Sequence, residues 1–334
     1  MVCHMRTRRH RIGIGLIGVC ATLGIFAATA QSYTSYEPFG GGSFWRMPSR
    51  APADPHSGAY ISWLSSQVHN KFVILRATGM SGSSSQGDPI YYPSADQPRY
   101  SICHNPHFKS MAFPPQATNV AIPNVARTDA TDNDKDMIVY NKFDQRIYWF
   151  TEMQKFGSRW CAFQMSVYST DSNGVEWGVR GSNNRMNWGH HGVAPISQVV
   201  RYGEVGLGNI PHVLEVYIPN IGCHGAVWPL DGNTYCTTRA ANAVPAGAIL
   251  RIKPGVNLAR IALNPKARII ARALQTYGAI VGDHSGTGNS IALKLEDTVT
   301  EGRGNLWAEA GLNWQSLSRI PISDYQIDKL GAPR

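Results

Sequence analysis

The residues able to do chemistry concentrate between Trp188 and Cys236, where Trp188-Gly189-His190-His191 is followed by His212, Trp228 and Asp231. Further acids stand at the edges of apolar runs: Asp134 and Asp136 before MIVYN at 137–141, and Asp283 after Gly282. Two carboxylates brought to one cleft can protonate a glycosidic oxygen and activate water or attack the sugar, and their separation sets retention or inversion. Asp134, His212 and Asp283 are therefore the candidate catalytic residues. A β-eliminating lyase with His212 as its base is a variant of the same chemistry. Aromatic rings stack on the apolar faces of sugars, so Trp188 and Trp228, each followed by a chain-bending Gly or Pro, are candidate substrate platforms, with His190 and Asp231 as polar contacts beside them. Each residue also has an ordinary structural alternative. A histidine among apolar residues often sits satisfied in a core, indoles fill β-sandwich cores, and acids at loop ends bond turn amides.

If 212–218 is a strand, alternation puts His212, Leu214 and Val216 on one face and Val213, Glu215 and Tyr217 on the other, so His212 does not stand alongside Glu215. The same rule sends His190 and His191 to opposite faces, a poor arrangement for one metal ion, and the cysteine spacings match no zinc module. No Gly-rich phosphate loop, G-x-S-x-G elbow or H-E-x-x-H helix is present, which argues against nucleotide, esterase and zinc-protease chemistry. No cofactor and no metal are expected.

Compartment is written at the front of the chain. A basic head (Arg6, Arg8, Arg9, Arg11), an apolar segment from Ile12 and a small-residue end at Ala28-Thr29-Ala30 have the anatomy of an export signal cleaved before Gln31. The segment is nearly long enough to remain as an anchor, and Val19 is too bulky for a lipoprotein box ending at Cys20. The leader's four arginines account for four of the nine formal positive charges, which leaves the chain from Gln31 at +5. That charge is scattered, without the clustered stripe of a nucleic-acid binder. The expected protein is secreted or periplasmic, a monomer, free of the membrane after cleavage, with a polysaccharide or glycan as partner and no nucleic acid. Four cysteines remain and can pair in three ways; Cys223 with Cys236 and Cys103 with Cys161 is the favoured scheme in an oxidising compartment, against free buried thiols.

Positioning these groups requires strands. FVILRA at 72–77, IYY at 90–92, YSIC at 100–103, MIVYN at 137–141, RIYWFTEM at 146–153, RWCAFQMSVY at 159–168, VLEVYI at 213–218, AILRI at 248–252 and IALKL at 291–295 are rich in β-branched and aromatic residues. Residues 142–145 are read as a hairpin turn. The expected fold class is mainly β, a β-sandwich or jelly-roll-like single domain over 44–334 with a few covering helices, preceded by a signal peptide at 1–30 and a flexible lead-in at 31–43. One helix starts near Asp54-Pro55 and carries Tyr60, Ile61, Leu64 and Val68. A second runs from Pro265 to Tyr277, with Ala267, Ile270, Ala271 and Leu274 on its apolar face, and ends at Gly278.

Several segments in order resemble a family of secreted, largely uncharacterised bacterial proteins of actinobacterial type. They are SFWRMPSRAPADPHSGAYISWL, Asp134-Lys135-Asp136-Met137, RIYWFTEM, Trp188-Gly189, Gly208-x-Ile210-x-His212, Val227-Trp228-Pro229 and ARALQTYGAIVGDHSG, spanning about residues 44–325. Lys135 and Asp136 stand where Arg and His are usual, and Val213 where Ala is usual. The resemblance implies export and a β-rich fold and supplies no mechanism. The leading expectation is a carbohydrate-active protein that cleaves a polysaccharide, as glycoside hydrolase or lyase; the rival is a non-catalytic glycan-binding or cell-envelope protein.

Overall fold

Alternating and continuous apolar runs of the kind that pair into half-buried and fully buried sheet become fifteen strands among the described residues, against four α-helices. The computed structural model describes residues 38–80, 86–108, 113–129, 134–175, 199–230, 236–286 and 289–331. The fold is mainly β and sandwich-like.

The larger sheet has six strands in the spatial order β1 (Val73–Arg76), β14 (Ile291–Lys294), β11 (Leu214–Ile218), β13 (Ala279–His284), β12 (Ile249–Ile252) and β15 (Tyr325–Ile327). It is mixed: β1 runs parallel to β14 and β11 parallel to β13, whereas β11 runs antiparallel to β14. A second sheet orders β10 (Gln164–Ser169), β7 (Arg146–Thr151), β6 (Met137–Asn141) and β2 (Ile90–Tyr91). Smaller sheets pair β3 (Arg99–Tyr100) with β5 (Val120–Ala121), and order β4 (Cys103–His104), β9 (Arg159–Ala162) and β8 (Gln154–Phe156).

Alternation decides what each face of the four-stranded sheet buries. Ile138, Ile147, Trp149 and Tyr168 enter the large core together with Leu214, Val216, Ile291 and Leu293 of the six-stranded sheet. Their neighbours Met137, Val139, Tyr148, Phe150, Met165 and Val167 build a second core with Val120, Trp160 and Ala162 of the small sheets. With both faces covered, this sheet reads as nearly continuous apolar sequence. The β6–β7 turn forms at 142–145, where the Asn141 side-chain oxygen accepts from the amides of Phe143 and Asp144 at 2.9 and 3.1 Å.

α1 (Ser57–Gln67) begins just after Asp54-Pro55, with Asp54 Oδ1 accepting from the His56 amide at 2.8 Å. α2 (Tyr202–Leu207) is short. α3 (Pro265–Thr276) is capped by Asn264, whose side chain accepts from the Lys266 amide at 2.8 Å, and it buries Ala267, Ile270, Ala271 and Leu274 in the large core. Gly278 ends it at φ +77°, where a Cβ would stand 2.4 Å from Ile249. α4 (Leu306–Glu309) sets the buried Trp307, whose indole N–H donates to the Glu296 carbonyl at 2.7 Å. No helix among the described residues is long and apolar enough to cross a membrane. Both favoured disulfides are present, Cys103–Cys161 joining β4 to β9 and Cys223–Cys236 closing a short loop. One boundary differs from expectation: within the proposed lead-in, Phe39 is buried and its amide donates to Thr170 at 2.8 Å, so apolar docking extends the folded part ahead of residue 44.

Candidate functional site

The six-stranded sheet sends Val73, Leu75, Leu214, Val216, Ile291 and Leu293 into the core, so alternation turns Ile74, Arg76, Glu215, Tyr217, Ala292 and Lys294 to its other face. One register row crosses four strands there: Ile74 opposite Ala292, Ala292 opposite Tyr217, and Tyr217 opposite Asp283. The last pairing depends on a β-bulge. Val216 pairs with Val281, but Tyr217 pairs with Asp283, so Gly282 is the extra residue and Asp283 is turned to the face that carries Glu215 and Tyr217. Glycine is needed for a second reason: a Cβ at position 282 would lie 1.9 Å from Glu215 Oε1. The Glu215 carboxylate therefore lies directly over the bulge, next to Asp283 in the chain. Glu215 and Tyr217 are 3% and 5% exposed, and Asp283 is half-buried.

Two cations stand on the same face. Arg76 and Lys294 are register partners on the edge strand β1 and its neighbour β14. Arg76 donates to Ser290 Oγ at 3.0 Å and to Gln86 Oε1 at 2.5 Å. Lys294 reaches across to the second sheet, donating to Asp88 Oδ1 at 3.2 Å and Asp136 Oδ2 at 3.1 Å. Those two aspartates are neighbours because β2 and β6 are parallel with Ile90 opposite Ile138, and each aspartate stands two residues earlier. The Lys294 ammonium also lies 5.1 Å from the centre of the Tyr217 ring. Burial, reinforced by the negative charge of Glu215, pushes the Tyr217 hydroxyl far above its ordinary value, so it stays protonated and acts as a donor. Next to this row, Phe72 and Trp314 stack at 6.0 Å and pack on Ile74, Tyr217 and Ala292. Both rings are half-buried, an aromatic shelf over the Ile74–Ala292–Tyr217 part of the row.

The anticipated residues separate. Asp283 belongs to this face. His212 lies at the opposite end of β11, on the order of 15 Å away along the strand, where it is buried, with Nδ1 donating to the Val213 carbonyl at 2.8 Å and Nε2 3.0 Å from Glu204 Oε2. Glu204 also accepts from Arg201. Burial works to raise the Glu204 carboxyl, but the positive charges of Arg201 and His212 outweigh it and hold the group below its ordinary value. His212 thus ties the entry of β11 to α2. The strand expected over 212–218 begins only at Leu214, so His212 stands in the bend before it, and Val213 joins Leu214 and Val216 in the core. Asp134 is exposed ahead of β6, its carbonyl accepting from the Glu152 amide and from Thr151 Oγ1 at 2.5 and 3.0 Å. Its neighbour Asp136 is the acid turned inward to Lys294. Trp228 is 36% exposed and packs edge-on against Phe44 at 4.8 Å, preceding a cis bond to Pro229. Trp188, His190 and Asp231 lie outside the described residues.

No family model, curated protein or solved structure matches the chain. Function has to be argued from this face itself. Sequence reasoning passed over Glu215, Tyr217, Lys294 and Trp314. The signal available for them was polarity in the wrong place: a glutamate within VLEVYI and a lysine within IALKL, charges inside runs whose neighbours are core residues. Among the described residues no group of three His, Cys, Asp or Glu is arranged to hold a metal ion.

Proposed function

We propose that this is an exported carbohydrate-active protein that cleaves a polysaccharide, with Asp283 and Glu215 as its working carboxylates. The observation that carries this is the bulge at Val216/Tyr217, which turns Asp283 onto the face where Glu215 lies over Gly282. A bulge that re-aims a side chain is a frequent device beside active sites. Asp283, half-buried, meets solvent and is the carboxylate that a chain laid on this face reaches first, with the buried Glu215 behind it. One carboxyl delivers a proton to the departing glycosidic oxygen. The other, as carboxylate, attacks the anomeric carbon or takes a proton from the attacking water. Tyr217, held protonated, donates a hydrogen bond to a sugar or carboxylate oxygen, and Arg76 and Lys294 supply positive charge that favours an acidic substrate. In the eliminating variant His212 is replaced as candidate base by Asp283, because both imidazole nitrogens are already engaged at the far end of β11. Two disulfides are in keeping with an oxidising compartment outside the cytoplasm.

The test is product release by the exported protein across neutral and acidic polysaccharides, reading new reducing ends and unsaturated products together. Release should fall about 10²–10⁴-fold in Asp283→Asn and in Glu215→Gln and persist in Asp134→Asn. Unsaturated products select elimination, and reducing ends alone select hydrolysis. Release unaffected by both substitutions would remove this face from the chemistry. Binding without release across the panel would establish the non-catalytic glycan-binding reading, in which the buried charges hold the two sheets together.

A further inference from the structure

On the small sheet of β4, β9 and β8, far in sequence from the β11–β13 face, a tight turn displays a series of rings. The turn closes with the Phe108 amide donating to the Asn105 carbonyl at 3.2 Å and the His107 amide donating to Asn105 Oδ1 at 3.1 Å. His104, His107 and Phe108 are all exposed, and each lies against a second ring: His104 on Phe113 at 4.1 Å, His107 on Phe156 at 5.7 Å and Phe108 on Phe163 at 5.4 Å. The pairs are tilted by 32–43°, so the rings lie over one another and do not project singly. Cations border them. Arg159 is exposed and is the register partner of Phe156, and Lys155 sits 5.5 Å from the centre of the Trp160 ring. No Asp or Glu occurs in β4, β8, β9 or the turn at 105–108. The Cys103–Cys161 bond joins β4 to β9 and fixes the platform on which the turn stands.

From this combination we infer that the turn at 104–108, with Phe156 and Arg159, is a surface binding site for an anionic polysaccharide, separate from the β11–β13 face and independent of whether that face cleaves anything. Paired rings offer flat apolar area for the faces of sugar residues, while the guanidinium and ammonium match carboxylate or sulfate groups along the polymer. Entry into a lipid surface would call for rings that protrude; among the described residues of the patch only Phe108, at 38%, counts among the exposed large apolar side chains, and it leans on Phe163.

The experiment is affinity electrophoresis of the whole exported protein through gels containing polygalacturonate, a neutral β-glucan or no polymer, with co-sedimentation on phosphatidylglycerol vesicles in parallel. Polygalacturonate should retard the protein, and the dissociation constant should rise about tenfold or more in Phe108→Ser/Arg159→Gln, from loss of one ring contact and one charge contact. Lys142→Gln, an exposed change on the β6–β7 turn that belongs to neither site, should be retarded like the parent, which separates the site from the loss of any one surface charge. Unchanged melting in Phe108→Ser/Arg159→Gln shows that the fold survives, and Arg159→Gln alone, a surface change, gives a second measure with a smaller rise. Equal retardation of parent and variants, absence of retardation by polygalacturonate, or sedimentation with vesicles in preference to polymer would each overturn the assignment.

Discussion

Replacing Gly282 by alanine tests the geometry of the proposed site at its tightest point. The new methyl would stand 1.9 Å from Glu215 Oε1, 2.7 Å from its Cδ and 2.9 Å from its Cγ, whereas ordinary contact begins at 3.4 Å. The carboxylate must therefore retreat by about 1.5 Å, in a region where Glu215 is 3% exposed and its neighbours are packed. Overpacking of this kind costs about 1–3 kcal/mol, which for a chain of this size lowers Tm by about 2–10 °C. The carboxylate would also leave its place over the bulge, so product release should fall as far as it does in Glu215→Gln. Differential scanning calorimetry with the release assay measures both effects. A double-mutant comparison isolates the cause: in a Glu215→Ala background the clash is gone, and adding Gly282→Ala should cost under about 0.5 kcal/mol. If Gly282→Ala melts and works like the parent, or costs as much with Glu215 absent as with it present, the placement of Glu215 over the bulge is wrong.

Three further outcomes follow from the buried charges and crosslinks. Lys294→Met removes the ammonium from between Asp88 and Asp136, and urea denaturation should show a loss of about 3–5 kcal/mol; a loss below 1 kcal/mol would mean the three groups are not held together as described. Burial raises the Asp297 carboxyl above its ordinary 3.8, against hydrogen bonds from Thr300 and Thr78 and with Asp129 adding to the rise. As pH climbs past 3.8 the unfolded chain gives up that proton before the folded one, so stability is lost across the window up to the raised folded value. The Tm of Asp297→Asn relative to the parent should therefore be more favourable at about pH 7 than at about pH 3.5, and an opposite slope would contradict the assignment. Converting Cys223 and Cys236, 13 residues apart, to serine should cost about 3 kcal/mol, and Cys103 with Cys161, 58 apart, about 4 kcal/mol, both read from urea midpoints; no change on converting either pair would show that bond to be absent in solution.

Strands and helices whose pattern is local were legible in the chain. MIVYN became β6 with the stated ends, the first six residues of RIYWFTEM became β7 with a turn between them, and the helix expected over Pro265–Tyr277 became α3, Pro265–Thr276, because period and capping act over a few residues. Within 214–218 alternation placed Leu214 and Val216 opposite Glu215 and Tyr217, since the faces of one strand depend on that strand alone, but it did not extend to His212 and Val213, which precede the strand. The cysteine pairing was legible because few partners remained. Everything that depends on which strands become neighbours was set by long-range pairing. Nothing in VLEVYI or GAIVGDH states that they lie parallel with a bulge at Gly282, and it is this bulge that pairs Asp283 with Tyr217 and turns it to the face of Glu215. Nothing in IALKL states that Lys294 reaches two aspartates on another sheet, 206 and 158 residues away. Asp136 was passed over for Asp134 because the two differ only in which side of the sheet they enter, and that is set by partner strands distant in sequence. Local preference fixes each element; the burial of charge, and with it the candidate chemistry, is fixed by the sheets those elements join.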